Sequence, residues 1–131
     1  MCSLGFQGLG YSRAFVENMR SIVEAMQSAS AELLLLDGPD SICAACPHLG
    51  GNRCGKTDDS EAAIRRADRF VLAAVGMKPG ERASAADVFE RIAARVSTDD
   101  AHSSVCADCE WREHGVCREG LAALKADAGR R

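Results

Sequence analysis

Two stretches of the chain repeat one cysteine spacing. Cys43-Ala44-Ala45-Cys46-Pro47-His48-Leu49-Gly50-Gly51-Asn52-Arg53-Cys54 reads C-x2-C-x7-C, and Cys106-Ala107-Asp108-Cys109-Glu110-Trp111-Arg112-Glu113-His114-Gly115-Val116-Cys117 reads the same. Six of the seven cysteines fall in these two arms, at 43–54 and 106–117. A C-x2-C step turns two sulfurs toward one point, and a third thiolate on a following loop can close on the same ion or cluster. The chemistry that suits this pattern is thiolate ligation of a metal or an iron–sulfur cluster. Cys43, Cys46, Cys54, Cys106, Cys109 and Cys117 are the candidate ligands. Cys2 stands outside the repeat. A [4Fe–4S] cluster takes four thiolates and each arm offers three, so Cys2 is expected to complete the Cys43, Cys46 and Cys54 arm. Gly5, Gly8 and Gly10 let its segment bend closely enough. The competing reading is a frayed terminus with a free thiol.

The neighbours of the cysteines sharpen the choice of metal only a little. Pro47 follows Cys46 directly, and bacterial cluster runs often end in cysteine–proline. Arg53 and Lys56 flank the first arm, and Arg112 and Arg118 the second. Cations there offset thiolate charge, although scattered surface charge is the plainer account of any one of them. The three histidines, His48, His102 and His114, lie in or near the arms. With His114 the second arm reads C-x2-C-x4-H-x2-C, close to a zinc knuckle but short in its last gap, which makes His114 a possible extra ligand. A solvent-facing loop position is the plainer account of each histidine. Trp111, the single tryptophan, can shield a cluster from water, but filling a small core is its more ordinary use.

Thiolates on this spacing imply a reducing setting. No charged and apolar leader opens the sequence and no apolar run approaches membrane-spanning length, so a cytoplasmic protein with reduced thiols is expected. An odd cysteine count also argues against a full set of disulfides. The chain has 131 residues, 27% of them charged, with net charge −3. That is one domain, 1–131, by expectation. No basic face is evident, which argues against nucleic acid as a partner. Alanine is abundant and aromatics make up 5%, a helix-leaning composition with little bulk for a core. Such a domain gains most from a metal or cluster staple.

The elements that must position the arms follow from caps and periodicity. Ser12 caps a predicted helix to about Gln27 or Ser28, with Phe15, Val16, Met19, Ile22, Val23 and Met26 on one stripe. Leu33–Leu36 reads as a short buried strand, and residues 2–6 are its only obvious partner. A second helix runs from about Glu61 to Val75 and stops at Gly76. Ser84 with Asp87 resembles a capping box for a third, continued by Val88, Phe89, Ile92 and Val96. Thr98-Asp99-Asp100 begins a short turn, and Leu121 and Leu124 sit on a C-terminal helix growing from Cys117. The predicted fold class is mainly α with a minor β element, a small α+β domain stapled at its cysteines.

Gly10-Tyr11-Ser12, Phe15-Val16-Glu17-Asn18-Met19 and Asp37-Gly38-Pro39-Asp40 leading into Cys43-Ala44-Ala45-Cys46-Pro47 resemble the domain of unknown function 1284 family. Cys106 to Trp111 and Gly115-Val116-Cys117-Arg118-Glu119-Gly120-Leu121 are similar to its closing motif. The resemblance covers nearly the whole chain. It implies a bacterial or archaeal protein that binds iron–sulfur, and it attaches no reaction. It also implies a histidine pair just before the cysteine matching Cys2. This chain starts Met1-Cys2, so no role for that pair carries over.

Three functions compete at this point. The leading one is an iron–sulfur protein, [4Fe–4S] favoured, for electron transfer or redox sensing with an unidentified protein redox partner. The second is a structural zinc module that shapes a protein-interaction surface. The third is an enzyme whose three-cysteine arm leaves one metal position open to substrate. No phosphate loop, nucleophile elbow or paired-carboxylate motif supports the third.

Overall fold

A computed structural model describes residues 1–28 and 30–131. The described residues form five α-helices and two small antiparallel sheets, the mainly helical α+β class expected from the caps and composition. Helix α1 (Arg13–Met26) begins where the Ser12 hydroxyl accepts from the Phe15 amide at 3.1 Å. It buries Phe15 and Met19. Helix α2 (Ser60–Val75) ends at Gly76, whose φ of 71° is the left-handed conformation that glycine adopts without penalty. Helix α3 (Ala85–Arg95) is capped by the Ser84 hydroxyl accepting from the Asp87 amide at 3.1 Å. The short turn expected at 98–100 is a full helix, α4 (Thr98–Ser104), because Ser97 caps it through the Asp100 amide at 3.0 Å. Helix α5 (Val116–Gly129) follows Gly115.

The core is aliphatic. Leu72 and Val75 of α2, Val88 and Ile92 of α3, Val96, Ala101 of α4 and Leu121 of α5 pack together. Leu121, Val75 and Val96 are essentially sealed from water.

The predicted strand pairing is corrected. Strand β1 (Glu32–Leu34) pairs antiparallel with residues Arg82–Ser84, not with residues 2–6. The Arg-Ala-Ser partner has no β-forming side chain to announce it, and a turn through Gly80 delivers it. The Gly80 amide donates to the Leu35 carbonyl at 2.7 Å, and the Leu35 amide to Glu81 at 2.9 Å. Nor is the leucine run buried throughout. Leu33 and Leu35 pack on the core, whereas Leu34 and Leu36 are 48% and 43% exposed, the alternation of a strand with one wet face. The second sheet is the hairpin β2 (Leu49–Gly50) and β3 (Arg53–Cys54), turned at Gly51 with φ 60°. The partner of β1 is thus β4 (Arg82–Ser84) in chain order.

Residues Cys2–Gly5 form a 3₁₀ turn that lies against α5. Two glycines make that contact possible. A Cβ on Gly5 would stand 2.6 Å from the Cys117 backbone, and a Cβ on Gly120 would overlap the Leu4 carbonyl. No helix among the described residues is long and apolar enough to cross a membrane.

Replacing Gly120 by alanine should therefore force the turn off the helix and destabilise the fold by about 1–3 kcal/mol, the usual range for overpacking. Gly129→Ala, on the same helix with open space at its Cβ, is the control. It should leave the thermal midpoint unchanged or slightly raised, measured by circular dichroism. Equal midpoints for the two variants would remove the clash from the account.

Candidate metal centre

The first arm is built on a capped turn. Asp40 Oδ1 accepts from the Ile42 amide at 2.9 Å and opens the 3₁₀ turn Ser41–Ala45 that carries Cys43. The Cys46 amide donates to the Cys43 carbonyl at 2.9 Å, and the Leu49 amide to the Cys46 carbonyl at 3.1 Å. The β2–β3 hairpin then returns Cys54 opposite Leu49. Helix α1 steadies the turn from behind, with Asn18 Nδ2 donating to the carbonyls of Ser41 and Ile42 at 2.9 and 3.2 Å. All three cysteines are half-buried. Burial pushes the Cys43 thiol up, and the neighbouring Cys46 and Cys54 push it further against a stabilising bond to the Asp40 backbone.

Helix α2 holds both ends of this arm. The Gly38 amide, ahead of the turn, donates to Asp68 Oδ2 at 2.8 Å, and Arg65 donates to the Asp37 carbonyl at 2.7 Å. Burial raises the Asp68 carboxyl to about 6 although the Gly38 amide opposes it. At the far end the Cys54 amide donates to Glu61 Oε2 at 2.7 Å, while Glu61 Oε1 accepts from Arg65 Nε at 3.0 Å. Glu61 is buried, and the Cys54 amide holds its carboxyl below the usual range, with Arg65 assisting against the cost of burial.

The second arm repeats the backbone pattern. The Cys109 amide donates to the Cys106 carbonyl at 3.1 Å, and the Arg112 amide to the Cys109 carbonyl at 3.1 Å. Equal spacing has produced equal turns. Here the arm leaves α4 rather than a loop, and its third cysteine, Cys117, lies in the first turn of α5. A small cavity is lined by Cys106, Cys109, Cys117, His102, Trp111 and the two cations Arg112 and Arg118. Arg112 Nε donates to His102 Nε2 at 3.0 Å, and Arg118 pairs with Asp99 at 2.8 Å. His114 is exposed on its turn, outside the cavities lined by the cysteines.

Cys2 is expected at the first arm, and the fold gives it a neighbour in the second. It lies with the second arm, its thiol against that of Cys117, because the Gly5–Gly120 contact docks the first turn on α5. Much of the Cys2 residue faces solvent. A hydrogen bond from Cys117 holds the Cys2 thiol down to about 6 despite desolvation, and the same bond drives Cys117 far above the ordinary thiol range. Burial raises Cys106 too, with Cys2 and Cys109 adding to it. All seven cysteines are free thiols. Among the described residues no group of three or more His, Cys, Asp or Glu side chains stands at the geometry of a single bound ion. The arms are gathered as two thiol-lined neighbourhoods.

A seam that spacing alone did not reveal joins the two. The Tyr11 ring meets His48 of the first arm at a centroid distance of 5.1 Å and Trp111 of the second at 4.8 Å. Lys56 Nζ sits 4.8 Å from the Tyr11 ring centre and pairs with Glu110 at 3.1 Å. Lys56, read as a flank of Cys54, thus reaches across to the other arm. Trp111 does not fill the core; it is half-buried on Tyr11 and walls the cysteine cavity. Tyr11 and Glu61 are the site residues the cysteine pattern could not single out. An acidic residue in the first turn of α2 was the one available signal for Glu61.

Glu61→Gln removes the charge with little change of shape. A carboxyl held below its ordinary pKa contributes stability above that pKa and loses it as pH falls through the lowered value. The variant should therefore melt several degrees below the parent at pH 7, with the gap closing at an acid pH below the ordinary carboxyl value. Thermal melts of the metal-free protein at both pH values check this, and an unchanged gap at low pH would contradict the ionic account.

No match was found among curated proteins or among solved structures. A family model described as "Protein of unknown function (DUF1284)" matches residues 10–115. The matched span contains the whole first arm with Cys106 and Cys109, while Cys2 and Cys117 fall outside it. On this match, which covers most of the chain, the protein belongs to the DUF1284 family.

Proposed function

We propose that the protein binds iron–sulfur through its two cysteine arms, with [4Fe–4S] clusters favoured, and acts in electron transfer or redox sensing with a protein redox partner in the cytoplasm. The observation that carries this reading is the duplicated C-x2-C-x7-C spacing, folded into two turns with the same backbone hydrogen bonds and half-buried free thiols. The donor set fits. All-sulfur ligation suits a cluster, and a cubane spreads its ligands wider than a single ion does.

A cluster supplies one-electron chemistry when bound. The residues of this chain would hold and tune it. Cys43, Cys46 and Cys54 would ligate on one side of the Tyr11 seam, and Cys106, Cys109 and Cys117 on the other. Arg112 and Arg118 offset thiolate charge at the second arm, and the half-burial of both arms limits water. Zinc shares the taste for thiolate, so the metal itself must be measured.

Protein purified without oxygen should be brown and contain iron with acid-labile sulfide. Colourless protein with stoichiometric zinc and no sulfide would replace the cluster by a structural metal. Cys46→Ser and Cys109→Ser should each lower bound iron, and full retention in the Cys109→Ser protein would remove the second arm from the ligand set. Stripping the metal should loosen the fold broadly, because binding energy at such sites is folding energy. The thermal midpoint and helical circular dichroism before and after chelation read this directly.

A further inference from the structure

We infer that Cys2 is the fourth thiolate of the second arm, so that Cys2, Cys106, Cys109 and Cys117 form one complete four-sulfur site while Cys43, Cys46 and Cys54 form a separate three-sulfur site. This rests on the metal-binding reading above and deepens it, because it divides the seven cysteines into two unequal centres.

The packing carries the division. The turn Cys2–Gly5 is held on α5 at two points, Gly5 on the Cys117 backbone and Leu4 on Gly120. Neither point tolerates a side chain, so the turn has one seat. That seat brings Met1 to a cavity wall shared with Cys106 and Cys117; Cys2 itself lies outside that wall, with its thiol beside that of Cys117. Arg118 also lines this wall, and Arg112 lines the adjoining cavity with Cys109, so cations face the place where sulfur charge collects.

The first arm receives no comparable fourth sulfur. The buried carboxylate beside Cys54 is already engaged. Both oxygens of Glu61 are bonded, one to the Cys54 amide and one to Arg65. Asp40 Oδ1 caps its own turn, and the His48 ring packs edge-on to Tyr11. The three-sulfur site would therefore take any fourth donor from outside the cysteine set.

Alkylation of the anaerobic protein as purified, followed by mass mapping and by iron, zinc and sulfide analysis, tests the division. In the parent, Cys2 should be labelled as slowly as Cys106, and its protection should vanish on chelation. In Cys46→Ser, Cys2 should stay protected while Cys43 and Cys54 become reactive. In Cys109→Ser the pattern should reverse. Gly120→Ala keeps every thiol and only unseats the turn, so it should expose Cys2 and lower the metal of the second site while Cys43, Cys46 and Cys54 stay protected. Fast labelling of Cys2 in the metal-loaded parent, or loss of its protection in Cys46→Ser alone, overturns the assignment. Zinc without sulfide would sink the cluster reading but uphold the four-sulfur site if Cys2 still follows the second arm. Metal-free parent protein with Cys2 reactive overturns both.

Discussion

The site depends on one place where two backbones touch. Leu4 and Gly5 meet Gly120 and Cys117 at a distance that any side chain on either glycine would prevent. The rest of the second neighbourhood hangs from that contact. It orients the first turn of α5, which carries Cys117, and it seats the segment that carries Cys2. Close approach also brings the turn beside the start of α5, so Cys2 and Cys117 share one neighbourhood. A glycine in a helix interior ordinarily costs stability relative to alanine, so Gly120 is a local loss accepted for a tertiary contact.

The two arms show how the same spacing can be delivered by different scaffolds. The first is suspended between loops and tied down by α1 and α2 through Asn18, Arg65, Asp68 and Glu61. The second is strung between the end of α4 and the start of α5, so its cysteines inherit the positions of two helices that reach the core through Ala101 and Leu121. One arm is braced by polar side chains and the other by apolar burial. Their environments differ accordingly, with the buried Glu61 carboxylate beside the first and exposed guanidinium groups around the second.

Much of this was legible in the chain itself. Helix starts at Ser12 and Ser84 and the stop at Gly76 were readable because capping is local chemistry, settled within one turn. The equal cysteine turns were readable for the same reason. What stayed hidden was long-range. Strand β4 is three residues without β preference, defined only by the edge of β1 that it meets. The seat of Cys2 depends on Gly120, far along the chain, and no periodicity links the two. Tyr11 lies in the Gly10-Tyr11-Ser12 stretch of the family resemblance, but no spacing ties it to the cysteines; its importance comes from what three separate segments place around one ring.

That ring is a physical link between the two halves of the site. Tyr11 touches His48 on one side and Trp111 on the other, and Lys56 spans the same gap to Glu110. Whatever orders one arm restricts the ring, and the ring restricts its opposite neighbour. Linkage of this kind is reciprocal: an occupant that makes the second arm easier to fill from the first must be helped by it to the same degree. Each occupant would then strengthen the hold on the other by a modest factor, and removing one would loosen its neighbour without emptying it.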